Sequence, residues 1–208
     1  MIAIYSHRTV LPTGTREATV LVNEGKIIDI TDQVPLHDNY EFVDLGDKWL
    51  LPGLIDPHVH INEPGRTEWE GFDTAGKGAI AGGLTTLVDM PLNSSQVTTS
   101  LKAFDEKLAS TKNKLYTNIG FWDGVAPGNE NEVAGLIDRG VLGFKAFLTH
   151  SDIDEFPNVT EDDLRKVMPV IAKNGLPLLV HCELADSNSR FDGDECNYNN
   201  YLRPRPKK

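Results

Sequence analysis

Five short apolar runs recur along the chain: LIDPHVH (54–60), LTTLVDM (84–90), LYTNIGF (115–121), VLGFKAF (141–147) and PLLVHCE (177–183). They are too short and too apolar for surface helices, and they read as strands buried on both faces, as a parallel sheet requires. Amphipathic stretches lie between them. Thr67 with Glu70 suits a capping box, and Trp69, Phe72, Ala79 and Ile80 would line one helical face before Gly82-Gly83. Leu101, Phe104 and Leu108 sit at helical spacing, and Val133, Leu136 and Ile137 precede Gly140, a C-cap candidate. Leu164, Val167, Met168 and Ile171 follow Thr160 and stop at Gly175. The runs return every ~30 residues, the size of one unit in a (β/α)8 barrel of roughly 250 residues. An open doubly wound sheet has similar spacing, but no Gly-rich dinucleotide fingerprint follows the first run.

Residues 1–49 follow a different pattern. ATVLV and IIDIT flank a turn containing Gly25 and read as a hairpin, and YEFVDLGDKWLL adds a further strand. The expected class is therefore α/β: a small β-rich domain over 1–49, then a barrel segment over 50–208 holding about five of the eight strands a closed barrel needs. The 208 residues carry 20 Lys and Arg against 31 Asp and Glu, a net charge of −11. That surface repels nucleic acid and anionic membrane, so neither is an expected partner. No stretch is long and apolar enough to cross a bilayer, MIAIYSHRTVLPTG does not fit a signal peptide, and two cysteines build no disulfide framework. A cytoplasmic setting is expected.

The candidate chemistry sits at the ends of the runs. On a strand, positions i and i+2 share a face, so His58 and His60 project together and suit a divalent metal. Lys145 lies inside an apolar strand, where burial favours the neutral amine. That amine either pairs with a buried acid such as Asp89 or reacts with carbon dioxide to give a carbamate, an anionic ligand able to bridge two metals. His181 ends the fifth run, as a ligand or as a packed core histidine. Asp89 is a candidate for supporting the site from behind, and Asn93 for a substrate contact. Cys182 reads as a small core residue. His7, His37 and His150 fall at surface or loop positions and are given no role.

The stretch LPGLIDPHVHINEPGRTEWEGFDTAGKGAIAGGLTTLVDMPLNS, with GFWDG, GVLGFKAFL and HCE, resembles the allantoinase branch of the cyclic amidohydrolases. That group also contains dihydroorotase, hydantoinase and dihydropyrimidinase. The resemblance implies a (β/α)8 barrel with a small β-sandwich domain and two divalent metal ions, usually zinc. It implies that His58 and His60 bind the first ion, that carboxylated Lys145 bridges the pair, and that His181 binds the second. Asn62 and Asn93 would contact the substrate. Dihydroorotase has an arginine at the position of Asn62 to hold a carboxylate, which allantoin lacks. The implied reaction is hydrolysis of a cyclic amide, allantoin opening to allantoate; a hydantoinase, dihydropyrimidinase or dihydroorotase relative is the runner-up. A non-catalytic fragment binding a partner chain is a third reading.

The family also has a metal-binding histidine and a proton-shuttling aspartate on later strands, for which this chain has no counterpart. It therefore reads as the N-terminal portion of such an enzyme. Open sheet edges, poor solubility, dependence on a complementary chain and little activity alone are the expectations. A family-like homo-oligomer would require the remaining barrel.

Overall fold

Buried Ala3, Ser6 and Thr9 on the first strand, and Ala18, Thr19 and Val20 on the second, hold the first sheet in the computed structural model, which describes residues 1–33, 40–183, 193–194 and 196–202. Strands β1 (Ile2–Leu11), β2 (Gly14–Asn23) and β3 (Lys26–Thr31) form an antiparallel meander. The β2–β3 turn places Glu24 and Gly25 at φ 49° and 74°, both positive, as a two-residue hairpin with the natural twist requires. Strands β4 (Glu41–Asp44) and β5 (Trp49–Leu50) both return to β1 in parallel. The expected single strand over YEFVDLGDKWLL is thus two, split at Gly46 with its φ of 54°. The unit is Met1–Gly53, and its sheet order is β3-β2-β1-β4 with β5 also on β1.

The second unit, Leu54–Lys208, alternates strand and helix. Its elements are β6 (Leu54–Val59), α1 (Phe72–Ala81), β7 (Leu84–Asp89), α2 (Leu101–Ser110), β8 (Asn118–Gly124), α3 (Val133–Asp138), β9 (Gly143–Phe147), α4 (Glu161–Lys173), β10 (Leu178–His181) and α5 (Tyr198–Leu202). Sheet order follows chain order, β6 to β10, and every pairing is parallel. This is the expected half-barrel of five strands. None of the helices among the described residues is long and apolar enough to cross a membrane.

The two faces of the sheet hold different cores. Phe121 packs with Phe72, Phe104, Leu136, Phe144, Val167 and Ile171, so this face lies under the helices. The Phe104 and Phe121 rings meet edge to face at 5.6 Å. The next residue, Trp122, points the other way into Val88, Met90 and Leu179. A side chain at Gly143 would come within 2.4 Å of Trp122 Cζ3, so only glycine lets β9 pass that ring. The edges behave otherwise. Leu54 and Ile55 are 58% and 65% exposed, against the expectation of burial on both faces, because among the described residues no strand lies outside β6. All of β9, in contrast, is buried.

Helix starts follow local chemistry. Thr160 and Asp163 cap α4 reciprocally: the Thr160 hydroxyl accepts from the Asp163 N–H (3.3 Å) and the Asp163 carboxylate from the Thr160 N–H (2.9 Å). Gly140 follows α3 at φ 88°. Helix α1 starts at Phe72, not at the expected Thr67–Glu70 box. Its first turn is capped by Glu63, whose Oε2 accepts the Phe72 N–H at 3.0 Å. Trp69 therefore precedes the helix and lies exposed beneath the Arg66 guanidinium. Ile80 and Met168 are about half exposed, since Phe72, Gly76 and Ala79 set the inward face of α1, and Val167 and Ile171 that of α4. Three strands also start later than expected: β8 at Asn118, β9 at Gly143 and β10 at Leu178. The stretch 186–200, expected as a loop, runs into α5 at its end, and its residues 186–192 and 195 lie outside the described residues, as does His37.

Two substitutions separate core from cap. Phe144→Ala, at a fully buried side chain, is expected to lower unfolding free energy by about 3–5 kcal/mol. Thr160→Ala is expected to cost about 1 kcal/mol through the lost cap. Urea unfolding of the full chain measures both, and equal losses would contradict this division.

Candidate metal centre

Because β6 to β10 are parallel, the C-terminal ends of all five lie at one rim, and the expected site residues stand there. His58 on β6 and His60 just past its end lie side by side: their ring centroids are 5.3 Å apart, tilted by 49°. Both are exposed. The His58 N–H donates to Asp56 Oδ1 at 3.0 Å. Burial pushes the His60 imidazole down toward its neutral form, helped by the nearby positive charges of His58, Lys107 and Lys145. His60 also borders an open cavity of about 290 Å³ shared with Asp56, Glu70 and Ala79.

Lys145 stands on strand β9 and is 8% exposed. Its Nζ lies 4.9 Å from the Phe147 ring centroid and makes no hydrogen bond or ion pair among the described residues. The expected alternative, a Lys145–Asp89 pair, does not form, because Asp89 Oδ2 is bound by Lys107 Nζ at 2.5 Å. Burial pushes the Lys145 amine down, and Cys182 opposes this in part. His181 stacks on the same Phe147 ring at 5.4 Å and 20°, and its Nε2 is 3.9 Å from Glu183 Oε2. The structure thus joins His58 to His60 directly, Lys145 to His181 through Phe147, and His60 to Lys145 electrostatically. No three His, Cys, Asp or Glu side chains converge as a ligand group among the described residues. Cys182 is exposed, not core, because β10 is an edge strand that ends at His181; its Sγ reaches the Val180 carbonyl at 3.2 Å. His7, bonded to Asp47 at 3.0 Å, and His150 are exposed.

The polar residues after the histidines divide into a brace and two free groups. Glu63 caps α1 and pairs with Lys114. Arg66 donates to the Asn93 carbonyl at 3.4 Å and lies 3.8 Å from Glu155. Asn62 is buried with its side-chain oxygen unpaired, although its main chain bonds Glu70 and Arg66. Asn93 adopts a left-handed φ of 73°, which asparagine tolerates better than most residues.

Two buried charged residues that the apolar runs and histidines did not mark lie between the sheet and its helices. Lys107 on α2 is 1% exposed and Asp123 on β8 is fully buried. Lys107 follows Phe104 by one turn on the helix's buried face, a spacing that marks it. Asp123 alternates with the inward Trp122, so its place beneath the helices was also readable. Neither Asp123 oxygen has a well-formed hydrogen bond; the nearby Thr98 hydroxyl reaches instead toward the Pro91 carbonyl, at 3.5 Å. Burial pushes the Asp123 carboxyl up to about 7, with Thr98 and Lys107 opposing. Asp89 is pushed up to about 6 by burial, against the pull of Lys107.

The amidohydrolase family matches residues 49–194. The chain belongs to the amidohydrolase family. Within that family it is 47% identical over 185 residues to an allantoinase of Streptomyces avermitilis, covering 88% of this chain and 41% of that protein. It is 40% identical to an allantoinase of Arabidopsis thaliana, covering 98% of this chain and 42% of that one. This amidohydrolase chain also resembles the solved L-hydantoinase (dihydropyrimidinase) of Arthrobacter aurescens, with a TM-score of 0.79 and 30% identity over 88% of this chain and 41% of that one. The chain spans about two fifths of the length of the curated relatives it matches.

Asp123 gives a pH prediction. Its folded pKa lies above that of an unfolded carboxyl, so the native state binds the extra proton. Stability then falls as pH rises from about 4 to about 7, and levels off above. Asp123→Asn is expected to flatten much of that fall, gaining roughly 1–3 kcal/mol at pH 8 and nothing at pH 4. Denaturant unfolding across this range measures it, and parallel wild-type and variant profiles would refute it.

Proposed function

We propose that the chain carries part of the active site of a metal-dependent cyclic-amide hydrolase whose substrate is allantoin and whose product is allantoate. The observation that carries this reading is Lys145, an amine buried without a partner among the described residues, at the rim where the two histidines stand. A neutral amine at that place attacks carbon dioxide, forming a nitrogen–carbon bond and releasing a proton, and becomes an anionic two-oxygen ligand.

The donor chemistry fits divalent cations. His58 and His60 offer two imidazoles on one face, with His60 held toward the metal-binding neutral form. They would hold one ion, carboxylated Lys145 would join it to a second, and His181 would bind that second ion; zinc is the metal we propose for both. Bound there, the ions would supply Lewis acidity to a ring carbonyl and lower the pKa of water. Trp122, Val88, Met90 and Leu179 form an apolar cluster on the inner face of the sheet. The unpaired oxygen of Asn62 is an acceptor suited to an N–H of a cyclic ureide, and Asn93 is a second contact. The names of the curated relatives support allantoin, and the L-hydantoinase likeness supports a hydantoin or dihydropyrimidine ring as the second reading. Dihydroorotate fits less well, since Asn62 offers its carboxylate no charge and Arg66 is engaged by Asn93, Trp69 and Glu155. Two free cysteines suit a cytoplasmic protein.

The full chain prepared with zinc and bicarbonate is expected to show bound metal and an intact-mass increase of one carbon dioxide. Lys145→Ala is expected to abolish the mass increase, and His58→Ala or His60→Ala to lower metal affinity at least about tenfold. Ring opening is then compared across allantoin, hydantoin, dihydrouracil and dihydroorotate. Protein that takes up neither metal nor carbon dioxide would sink the reading.

A further inference from the structure

We propose that Lys107 and Asp89 form a positioning pair that fixes the main chain of Ile61 and so aims His58 and His60; the inference rests on the metal reading above. The histidines stand where the sheet's pairing is irregular. Strand β6 pairs with β7 among the described residues, and that ladder slips register between Asp56 and Val59, the segment that carries Pro57 and His58. Pro57 has no N–H to lend it. Regular pairing therefore does not set the direction of the two imidazoles.

An ion pair behind Ile61 sets it instead. Asp89 Oδ1 accepts the Ile61 N–H at 2.7 Å, and Lys107 Nζ donates to the Ile61 carbonyl at 3.2 Å. The two charges meet at 2.5 Å, with side chains 1% and 0% exposed. Both polar groups of the residue immediately after His60 are thus held by one pair, whose two members come from different elements, β7 and α2. The Met90 N–H adds a bond to the Val59 carbonyl at 2.8 Å, and the Ile61 side chain is locked in the core. Lys107 Nζ also reaches Ser94 Oγ at 3.4 Å, tying the same ammonium to the loop that carries Asn93.

Stability alone does not call for such a pair. Taking two charges out of water is costly, and neutral residues of similar shape commonly hold a fold as well. A pair that instead grips one peptide on both sides restricts where the preceding residues point, as partners behind metal ligands do.

The test uses the full chain, Co²⁺ as the probe metal, and its ligand-field absorption and affinity as readouts. Lys107→Met leaves the buried Asp89 carboxyl without its cation, so its effect mixes stability with position. The double variant Asp89→Asn/Lys107→Met removes both charges and keeps an oxygen able to accept the Ile61 N–H. It is expected to unfold near the wild-type midpoint without metal, yet to bind Co²⁺ roughly 10–100-fold more weakly with an altered spectrum. Phe104→Leu, which disturbs packing on the same helix but not the pair, is expected to lower the midpoint and leave the spectrum unchanged. A double variant with wild-type affinity and spectrum overturns the inference. Wild-type chain that binds no Co²⁺ overturns the metal reading, and this inference with it. Should the double variant not fold, amide exchange in the wild type decides: Ile61 protected like Phe144 supports the pair, and Ile61 exchanging like Ile55 overturns it.

Discussion

Every strand of the second unit runs in the same direction, and from that single constraint the placement of the chemistry follows. Parallel neighbours need a crossover between them, so each strand is followed by a helix on the outer face. All strand ends then meet at one rim. Residues separated by more than a hundred positions, such as His58 and His181, become members of one row of strand ends without any motif linking them. The side-chain period of two sorts that row again. Lys145 projects on the face opposite Phe144 and Ala146, which are buried beneath the helices.

Burying charge is the second problem that this fold solves, and it solves it in three ways. Lys107 and Asp89 neutralise each other at contact distance. Asp123 has no adequate donor and is driven toward its protonated form. Lys145 has a ring face and no anion, and it is driven toward the free amine. The first is an ion pair, the second an acid shifted toward its neutral form, and the third an amine shifted toward its neutral form. Only the third is unfinished, in that a favourable reaction or ligand would improve it.

The apolar runs made the strand order legible, because each run is a strand and each successive strand is a spatial neighbour. Thr160 and Gly140 marked helix ends correctly, since their roles are local. Strand β1 was harder to see: Tyr5-Ser6-His7-Arg8 breaks the apolar pattern, yet Ser6 and Thr9 are buried and satisfied by main-chain carbonyls. The start of α1 was misplaced for a tertiary reason. Its cap is Glu63, nine residues upstream of the N–H that it accepts, and no local window contains both. The partner of Asp89 was equally out of reach, because Lys107 arrives from the next helix. At the site, the adjacency of His58 and His60 followed from strand geometry alone. The shared Phe147 ring between Lys145 and His181 did not, since it depends on the register that pairs Phe147 with His181 across two strands.

The irregular end of β6 also explains why an apolar run should end in His-x-His and continue into charge. The ladder with β7 slips register where the histidines begin. Hydrophobic burial cannot orient such a segment, because burial is indifferent to direction. Hydrogen bonds are directional, and the residues after the histidines supply them. The Asn62 main chain bonds Glu70 and Arg66, the Glu63 carboxylate holds the first turn of α1, where the helix dipole favours an anion, and Arg66 reaches the loop beyond β7. The polar run is therefore a set of fixed bonds that does for the end of β6 what regular ladder bonds do for β8 and β9.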